Sequence, residues 1–581
     1  MNSEEVQRVT EAAANLLSSE QRHHLLQGGN RLVTACPGAG KTRSISARAA
    51  VLSVHGERVA LTSYTNVGAE EMRSSLREHF DLALEEKDFV GTLHLFLLRY
   101  VYRPFAAAVM VSEISPVVRV SRATTTVGGD FAYNIDDFEF LPSGGLKFTG
   151  TPKEKYQKKT TVAEIYGEEA LAAKAEEASR GFANSSDAIY WALRVLEEKP
   201  EAAISVASRF DEIIVDEAQD TSLMQVKCLI EIVRAKVLRS LFLVGDFDQS
   251  IYAFQGASLA TVKQLAGAAR LDEVRLTENY RSSQAICDVV TRLRARAEPD
   301  TALGPSADFE MRPGVVYYDP ANIQELPQWF EERLRAAGLI ESQSAVVVRG
   351  NDLRAQMRGA GRVSYNRNTL FGTLLELVNG GEKGLSSRLL RAFEEQLESY
   401  MRDVGDISIS GEDVRVVVMR LLESLWLDDG GTVADWSARA VASINGSVST
   451  FGTDLQLNVA ALGAPEAIWQ RPIRDLLTAE VETKVDISTV HGVKGRTLDG
   501  VLIVADYNDP GWRPSEWANW INFFMRRRTE SEVQQLNDEE FRILYVAMTR
   551  ASRCCVLALP LEAKSAAVDA MFIECGFSIY S

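Results

Sequence analysis

The segment CPGAGKT at residues 36–42 constrains the fold of this chain more than any other part of the sequence. It follows a short apolar run, RLVTA at 31–35, and precedes a helical stretch, ISARAAVLSVHG. A strand, a glycine-rich loop and a helix in this order begin a βαβ unit, and such units build parallel sheets. The loop matches the phosphate-binding pattern G-x-x-x-x-G-K-[ST], except that Ala35 takes the first glycine position. We therefore expect an α/β fold.

The residues of this loop predict binding of a nucleoside triphosphate together with Mg²⁺. Backbone N–H groups around Gly38, Ala39 and Gly40 can form an anion nest, and the N-terminus of the next helix adds positive charge. Lys41 can reach the β- and γ-phosphates, and the Thr42 hydroxyl can hold Mg²⁺. A chance glycine-rich turn is the alternative, but the strand before the loop and the helix after it argue against that interpretation.

A second chemical signal is the apolar strand Ile213–Val215, which ends in two acidic residues. The tip of a strand puts Asp216 at the edge of the sheet, where its carboxylate can hold the Mg²⁺ shell. Glu217 can then orient the attacking water and take its proton. An ordinary acidic pair at a strand end is the alternative for these two residues by themselves. With a phosphate-binding loop upstream, the catalytic interpretation is favoured.

Five segments of the chain occur in the order that is typical of superfamily 1 helicases of the UvrD/Rep type. They are DEAQD at 216–220, GDFDQSIY at 245–252, TENYRSS at 277–283, TVHGVKG at 489–495 and LYVAMTRA at 544–551. The chain resembles that family from about Gln21 to Ser552. The resemblance implies an α/β fold of two RecA-like parallel-sheet cores, each with an inserted subdomain, and ATP with Mg²⁺ in the cleft between them.

The resemblance also implies roles for individual residues around the nucleotide. Gln21 is expected to read the adenine base, and Arg43 and Tyr280 are expected to sandwich the adenine ring. Gln249 is expected to sense the γ-phosphate, and Arg281 and Arg550 are expected to act as two arginine fingers. Arginine suits the role of a finger because its planar fork pairs with phosphate oxygens and keeps its charge at neutral pH.

Contacts with single-stranded DNA are implied in the same way. Tyr64, Thr65 and Asn66 after one strand are expected to touch DNA, as are Thr92 and His94 after the next strand. The aromatic residue Phe254 and the histidine His491 are expected to touch DNA as well. Phe254 stands where the family usually has a tryptophan, and stacking on a base contributes about 1–3 kcal/mol with any base. For His94, a phosphate contact and a structural role are equally open. His491 and Lys494 are expected to couple the nucleotide state to the grip on DNA.

Two positions depart from the pattern of the family. After SIY the family commonly has RWRGA, whereas this chain has AFQGA at 253–257 and lacks both arginines. After KGx the family commonly has an acid, whereas this chain has Thr497 after KGR. The first departure weakens the expected stacking on DNA, and the second weakens the expected contact with the ribose.

The succession of strand and helix patterns predicts six segments. The first core comprises 1–105 and 210–270, with an inserted subdomain at 106–209; the second comprises 271–351 and 481–581, with a reduced, mainly helical insertion at 352–480. In that second insertion one helical face, which indicates a core, carries Leu389, Leu390, Phe393, Leu397, Tyr400 and Met401. A basic run at 153–159 is expected to be a solvated loop, with a contact to the DNA backbone as the alternative.

Composition limits the cellular setting and the partners. The 581 residues carry 63 Lys and Arg against 80 Asp and Glu, a formal net charge of −17, which argues against a protein that coats nucleic acid. A local basic channel on an acidic body is compatible with that charge. The six cysteines form no CxxC pair, no run of 18 apolar residues occurs, and the N-terminus lacks the pattern of a signal peptide. We therefore expect a cytoplasmic protein without a membrane partner.

Together these features predict an ATP-dependent DNA translocase or helicase that moves on single-stranded DNA, with a 3′→5′ polarity that the resemblance alone implies. The alternative is a DNA-stimulated ATPase that unwinds little and acts as the sensor or regulatory subunit of a nuclease complex. In that case the chain would be similar to the helicase subunit of Gabija-type anti-phage nuclease–helicase systems. About 30 residues follow Arg550, so no nuclease domain of the RecB type is expected here and a nuclease partner protein is predicted.

Overall fold

The computed structural model describes most of the chain, and two large parallel sheets dominate the described part. The described residues are 3–26, 28–84, 87–119, 122–129, 132–153, 158–246, 259–294, 298–358, 369–380, 389–390, 392–394, 396–397, 416–417, 419–421, 431–449, 457–473, 483–508, 514–525 and 539–580. The strands of the two large sheets are numbered β1 to β12 in chain order.

The first sheet has six strands, and all of its pairings are parallel. They are β1 Arg31–Ala35, β2 Val59–Ser63, β3 Phe89–Thr92, β4 Glu212–Val215, β5 Ser240–Gly245 and β6 Asp272–Leu276. Their order across the sheet is β6-β1-β5-β4-β2-β3. Strands β2, β4 and β5 are buried along their whole length, as is usual where helices cover both faces of a parallel sheet. Because β1 and β4 flank β5, the loop after β1 and the acids after β4 meet at one edge.

Strand β6 corrects the predicted boundary between the two cores at residues 270 and 271. The pattern of strands and helices assigns 271–351 to the second core, but β6 pairs with β1 of the first sheet over its whole length. Four of the five residues of β6 are exposed or half-buried, so this edge strand lacks the apolar run that marks a central strand. The chain leaves β6 next to the loop after β1, which brings the TENYRSS segment to the first core.

The second sheet also has six strands that pair in parallel. They are β7 Gly314–Tyr318, β8 Ala345–Val348, β9 Asp486–Thr489, β10 Leu498–Val504, β11 Ala551–Pro560 and β12 Ser578–Tyr580. Their order is β9-β8-β10-β11-β7-β12. The two sheets confirm the predicted α/β fold with two parallel-sheet cores.

Helices accompany both sheets. Up to β6 they are Ser3–Leu16, Ser19–Leu25, Lys41–Val54, Asn66–Phe80, Leu93–Leu97, Arg103–Met110, Lys159–Ser179, Ser185–Glu198, Pro200–Arg209, Leu223–Arg234 and Leu259–Ala269. After β6 they are Gln284–Thr291, Leu326–Ala336, Asn351–Met357, Leu370–Gly380, Val433–Ser449, Val459–Leu462, Val490–Val493, Glu516–Met525, Glu539–Met548 and Ala566–Glu574. Within the described ranges, no helix is long and apolar enough to cross a membrane.

The predicted insertion at 106–209 consists of two parts with different cores. Residues 123–170 hold a small apolar cluster of their own, in which short antiparallel strands lie against the helix Lys159–Ser179. Helices Ser185–Glu198 and Pro200–Arg209 instead share the large apolar core on one face of the first sheet. These two helices therefore belong to the first core, because their apolar faces cover its sheet.

The described part of the predicted insertion at 352–480 has a separate apolar cluster. Phe371 and Trp436 are fully buried in it, with ring centroids 5.7 Å apart in an edge-to-face arrangement. Of the predicted helical stripe, Phe393 and Leu397 are buried, Leu389 and Leu390 are half-buried against the cluster, and Tyr400 and Met401 lie outside the described residues.

Candidate nucleotide site and DNA-facing strand ends

The loop after β1 places two glycines in the left-handed region of backbone space. Gly38 has a φ of 75° and Gly40 a φ of 69°, values that residues with a Cβ rarely adopt. A Cβ atom at Gly38 would lie 2.6 Å from both the Arg281 Cβ and the Asn279 Oδ1. The Tyr280 N–H donates to the Gly38 carbonyl at 2.9 Å. The loop therefore packs directly against the segment that carries Tyr280 and Arg281.

Lys41 and Thr42 begin the helix Lys41–Val54, immediately after Gly40. Their side chains start at the positive end of the helix, where anions are stabilised. Asp216 directly follows β4, at the same edge of the sheet as the loop after β1. Thr42 and Asp216 thus offer a hydroxyl and a carboxylate oxygen, and oxygen atoms are the ligands that Mg²⁺ takes.

Asp216 fits a cation site because its charge is costly without a cation. The residue is 3 % exposed, and burial together with the neighbouring Glu217 raises its pKa to about 7, although Lys41 opposes the shift. A divalent cation beside this carboxylate would keep it ionised. In the part of the chain that the structure describes, no three His, Cys, Asp or Glu side chains form a metal cage. Mg²⁺ that is shared with phosphates needs only one or two protein carboxylates.

Glu217 has an unusual backbone conformation, and its carboxylate interacts with positive charges from both cores. Its φ is 51°, in a region that residues other than glycine seldom adopt, and such outliers cluster at functional sites. Burial alone would raise the pKa of Glu217, but three cations and a hydrogen bond from Gln219 lower it below its ordinary value. The cations are Lys41 of the first core and Lys494 and Arg550 of the second. The carboxylate is therefore ionised at neutral pH, as a proton acceptor must be.

The residues that are predicted to surround adenine lie together beside the loop. Gln21 is buried, its Nε2 donates to the Ala39 carbonyl at 2.8 Å, and its Oε1 accepts from the Ser18 N–H at 3.0 Å. The Arg43 guanidinium lies 5.6 Å from the centroid of the Tyr280 ring. A base between two side chains needs about 7 Å, twice a carbon contact distance of roughly 3.5 Å, so Arg43 and Tyr280 must separate to admit one.

Sequence reasoning missed the contacts that tie Tyr280 to the N-terminal segment. The Tyr280 hydroxyl donates to Glu278 Oε2 at 2.8 Å, and the Ser18 hydroxyl donates to the same oxygen. Glu20 accepts from the N–H and the hydroxyl of Thr277 at 3.1 and 3.0 Å. Ser18 also closes a capping box, which its S-x-x-Q pattern signals. The contact with Glu278 has no such signal, because its partners are 260 residues apart.

Arg281 and Arg550 meet at Thr549 of the second core. The Arg281 Nε donates to Thr497 Oγ1 and its Nη1 donates to the Thr549 carbonyl, both at 3.0 Å. The Arg550 Nε donates to the Val546 carbonyl at 3.1 Å, and its Nη2 donates to the Thr549 hydroxyl at 3.3 Å. Burial and the like charge of Arg550 lower the pKa of Arg281 to about 9, and burial also lowers the pKa of Arg550. An anion near these two like-charged guanidinium groups would stabilise their charged forms.

Two further contacts join the acidic segments of the first core to the second core. The Lys494 Nζ lies 2.5 Å from Asp220 Oδ2, and Asp220 is 1 % exposed. Burial raises the pKa of Asp220 to about 6, although Lys494 opposes the shift. The Tyr545 hydroxyl lies 3.5 Å from Asp246 Oδ2, at the limit of a hydrogen bond. Lys494, for which a coupling role is predicted, therefore contacts the DEAQD segment.

The residues that are predicted to grip DNA follow two neighbouring strands. Tyr64, Thr65 and Asn66 follow β2, while Thr92 ends β3 and His94 comes two residues later. These strands pair up to their last residues, so both segments lie at one end of the sheet. The hydroxyls of Thr65 and Thr92 each accept a backbone N–H of the next helix, at 3.0 and 3.1 Å. Both threonines therefore act as helix caps, whereas Asn66 is exposed.

The two histidines of the predicted DNA surface differ in their surroundings. The His94 Nε2 lies 2.9 Å from the Ser185 hydroxyl oxygen, and burial lowers the pKa of His94. This ring has a partner within the protein, as the structural interpretation requires. His491 is exposed after the end of β9, where the Thr489 hydroxyl caps the next helix.

Several predicted features lie outside the described residues. They are Gln249, Phe254, the rest of the AFQGA segment at 253–257, and residues 154–157 of the basic run. Their roles in sensing phosphate, stacking on a base and contacting DNA stay predictions.

Two family models match this chain, and together they cover more than half of it. The model of the UvrD/REP helicase N-terminal domain matches residues 17–129 and 130–269. The model of the UvrD-like helicase C-terminal domain matches residues 472–559. The matched ranges contain the CPGAGKT loop, the DEAQD segment and the LYVAMTRA segment.

Curated relatives are similar over parts of their length. YjcD of Bacillus subtilis (strain 168), by its name a candidate ATP-dependent DNA helicase, is 27 % identical over 424 residues, 69 % of this chain and 52 % of that protein. The ATP-dependent DNA helicase PcrA of Leuconostoc citreum is 27 % identical over 277 residues, 45 % of this chain and 36 % of that protein. An ATP-dependent helicase/nuclease protein of Lactococcus lactis subsp. lactis (strain IL1403) is 37 % identical over 102 residues, 17 % of this chain and 8 % of that protein. The chain thus spans about half or less of the length of these relatives.

Proposed function

Because the chain belongs to the UvrD/REP helicase family, we propose that it is an ATP-dependent DNA translocase or helicase that moves along single-stranded DNA. The observation that carries this proposal is the setting of Glu217. The pKa of this half-buried carboxylate is lowered by Lys41 of the first core and by Lys494 and Arg550 of the second. A site that both cores complete can couple chemistry at a phosphate to the movement of the cores.

We propose that the triphosphate of ATP binds along Gly38–Thr42, with its adenine between Arg43 and Tyr280. The backbone N–H groups of the loop and the start of the helix Lys41–Val54 supply the positive potential that the phosphates need. Thr42 and Asp216 are proposed as the Mg²⁺ ligands. Mg²⁺ held there would neutralise negative charge on the phosphates.

In the proposed mechanism Glu217 orients the attacking water and accepts its proton. Its lowered pKa keeps it unprotonated and ready for this role. Arg281 and Arg550 place fixed positive charge where negative charge develops on the transferred phosphoryl group. Because both guanidinium groups are held by the second core, their approach depends on how the two cores sit against each other.

Single-stranded DNA is proposed to lie across the ends of β2, β3 and β9. The exposed side chains at those ends include Asn66 and His491, and Tyr64 is half-buried beside them. Thr65, Thr92 and Phe254 complete the proposed DNA-contacting set. Closing and reopening of the two cores would step them along the strand, and the family resemblance implies the 3′→5′ direction.

The direct test is steady-state ATP hydrolysis by the purified chain with and without single-stranded DNA. We expect DNA to stimulate the wild type, and strand displacement to occur on duplexes with a 3′ tail but not on those with a 5′ tail. An equal rate of ATP hydrolysis with and without DNA would contradict the proposed translocase activity. Strand displacement only on duplexes with a 5′ tail would reverse the proposed polarity.

A second candidate is a DNA-stimulated ATPase that regulates a nuclease partner in anti-phage defence. It is favoured by the net charge of −17, which repels DNA over the screening length of about 8–10 Å. The stretch 270–471, which both family models leave unmatched, also holds most of the predicted reduced insertion at 352–480. A relative whose name joins a helicase to a nuclease supports the same idea. Processive unwinding of a tailed duplex of several hundred base pairs by the purified chain alone would contradict it.

A further inference from the structure

Arg281 is attached to both cores at once. Its backbone belongs to the segment that packs on the loop after β1: its N–H donates to the Asn279 side-chain oxygen at 2.8 Å, and its Cβ limits the space at Gly38. Its guanidinium instead reaches the second core and donates to Thr497 and Thr549. The residue therefore spans the cleft between the two cores.

The two acceptors of Arg281 use only part of its hydrogen-bonding capacity. A guanidinium has five N–H donors in a fixed plane. One N–H on Nε and one on Nη1 are engaged, which fixes both the plane and the direction of the group. One N–H on Nη1 and two on Nη2 are left, and no described residue accepts a hydrogen bond from Nη2. Those donors are enough for a two-pronged contact with phosphate.

Both acceptors are neutral, and this matters for the chemistry. A neutral oxygen that accepts a hydrogen bond orients a guanidinium without offsetting its charge. The Thr497 hydroxyl orients Arg281 and leaves its full positive charge available.

The position of Thr497 is itself tied to the other predicted finger. Thr497 immediately precedes β10, whose first residue, Leu498, donates its N–H to the Arg550 carbonyl at 3.0 Å. Thr549 accepts from Arg281 through its carbonyl, which no substitution removes. Among the described residues, Thr497 provides the one side-chain acceptor of the Arg281 guanidinium, and it can be changed by mutation.

We propose that Thr497 is a positioning residue for Arg281: its hydroxyl aims the guanidinium at the γ-phosphate without neutralising it. This inference rests on the proposed ATP hydrolysis. It predicts an effect on turnover and not on nucleotide affinity, because a finger acts chiefly at the transition state.

The test is steady-state ATP hydrolysis at saturating single-stranded DNA by T497V and T497S, each in the otherwise unchanged chain. T497V removes the acceptor at similar size, so we expect kcat to fall about 3- to 10-fold with KM within about twofold of the wild type. T497S keeps the hydroxyl and should stay within about twofold in both constants.

A double-mutant cycle separates positioning from a merely structural role. In the R281A background, T497V should cause no further loss of kcat, because the residue that it positions is gone. An equal loss of kcat in both backgrounds, a rise of KM alone, or a T497S variant as slow as T497V would each overturn the proposal. A wild-type chain that does not hydrolyse ATP with DNA present would overturn the proposed function as well. Thr497 is exposed, so the thermal unfolding of T497V should match that of the wild type.

Discussion

The two cores are alike at the edge strands β3 and β9 and diverge beyond them. Each of these strands ends in a threonine that caps the next helix, and a histidine follows two residues later: Thr92 with His94, and Thr489 with His491. His94 is turned against Ser185 and burial lowers its pKa, whereas His491 is exposed. The same local architecture thus holds one histidine against Ser185 and leaves the other at the protein surface.

The divergence is larger at the cleft. The first core presents a glycine loop and buried carboxylates at the ends of β1 and β4, whereas the second presents cations just before β10 and β11. Lys41 lies in the first core, and Lys494 and Arg550 lie in the second, yet all three lower the pKa of Glu217. The comparison supports the proposed division of labour, in which the first core binds the nucleotide and the second acts on it when the cores meet.

The substitution K41A should have the largest effect. The first core then loses the cation that is proposed to contact the phosphates, so both nucleotide affinity and turnover should fall, turnover by at least about 10³-fold. ATP hydrolysis with DNA present and titration of a fluorescent nucleotide measure the two effects. K263A, a change of an exposed lysine in the same core, is the matched control. Turnover of K41A at the rate of K263A would remove the nucleotide site from the loop.

The substitution R550A should have the second-largest effect and should distinguish the role of the second core from that of the first. Turnover should drop by about 10³-fold while the dissociation constant for nucleotide changes little, because a finger acts chiefly at the transition state. The same two assays apply, with R312A, at an exposed arginine of the second core, as the control. A loss of affinity with an unchanged maximal rate would show that the cores share the binding of nucleotide instead of dividing the labour.

The substitution E217Q should stall hydrolysis by about 10²–10³-fold and keep nucleotide binding. The amide has nearly the same shape as the carboxylate but cannot accept a proton from water. Single-turnover hydrolysis and nucleotide titration test this pair of outcomes. If E217Q fails to bind nucleotide, Glu217 supports the structure of the site and is not its base.

These cores were predictable from sequence where the signals are local. The CPGAGKT loop, the acids after β4 and the LYVAMTRA segment can each be recognised from about ten consecutive residues. Residues adjacent in sequence determine the chemistry of such loops and strand ends. Strand β6 was assigned to the wrong core, since an exposed edge strand lacks a continuous apolar run. The bond between Arg281 and Thr497 joins residues 216 positions apart, and no local pattern encodes such a contact.

The substitution K494M tests the contact between the cores away from the phosphates. Asp220 would be left buried without its cation, so the free energy of unfolding should fall by about 1–3 kcal/mol at pH 7.5. The pKa of Asp220 is raised to about 6 in the fold, so its carboxyl takes up a proton as the pH falls and the cost of its burial disappears. The deficit should therefore shrink at pH 5. Denaturant unfolding at both pH values measures this loss of stability, and the double variant D220N/K494M is expected to regain it. A loss of the same size at pH 7.5 and pH 5 would contradict the buried ion pair.

The histidine pair should give the smallest effects and should sharpen the comparison of β3 with β9. H491A removes one exposed contact and should weaken binding of labelled single-stranded DNA about 2- to 5-fold. H94A should leave DNA affinity within twofold, roughly the error of the assay, and act on stability through the lost Ser185 contact. Anisotropy titrations and thermal unfolding of both variants test this. Equal losses of DNA affinity in H491A and H94A would show that both histidines contact the DNA.

The division of labour between the cores is tested most directly by measuring how ATP and single-stranded DNA affect each other's binding to E217Q, which should bind both without turnover. Because both ligands favour the closed cores, ATP should tighten DNA binding, and DNA should tighten ATP binding by the same factor, about 5- to 150-fold. Adding R550A should reduce that factor while leaving DNA affinity without ATP unchanged. Affinities for DNA that are equal with and without ATP would contradict a site that the two cores complete together.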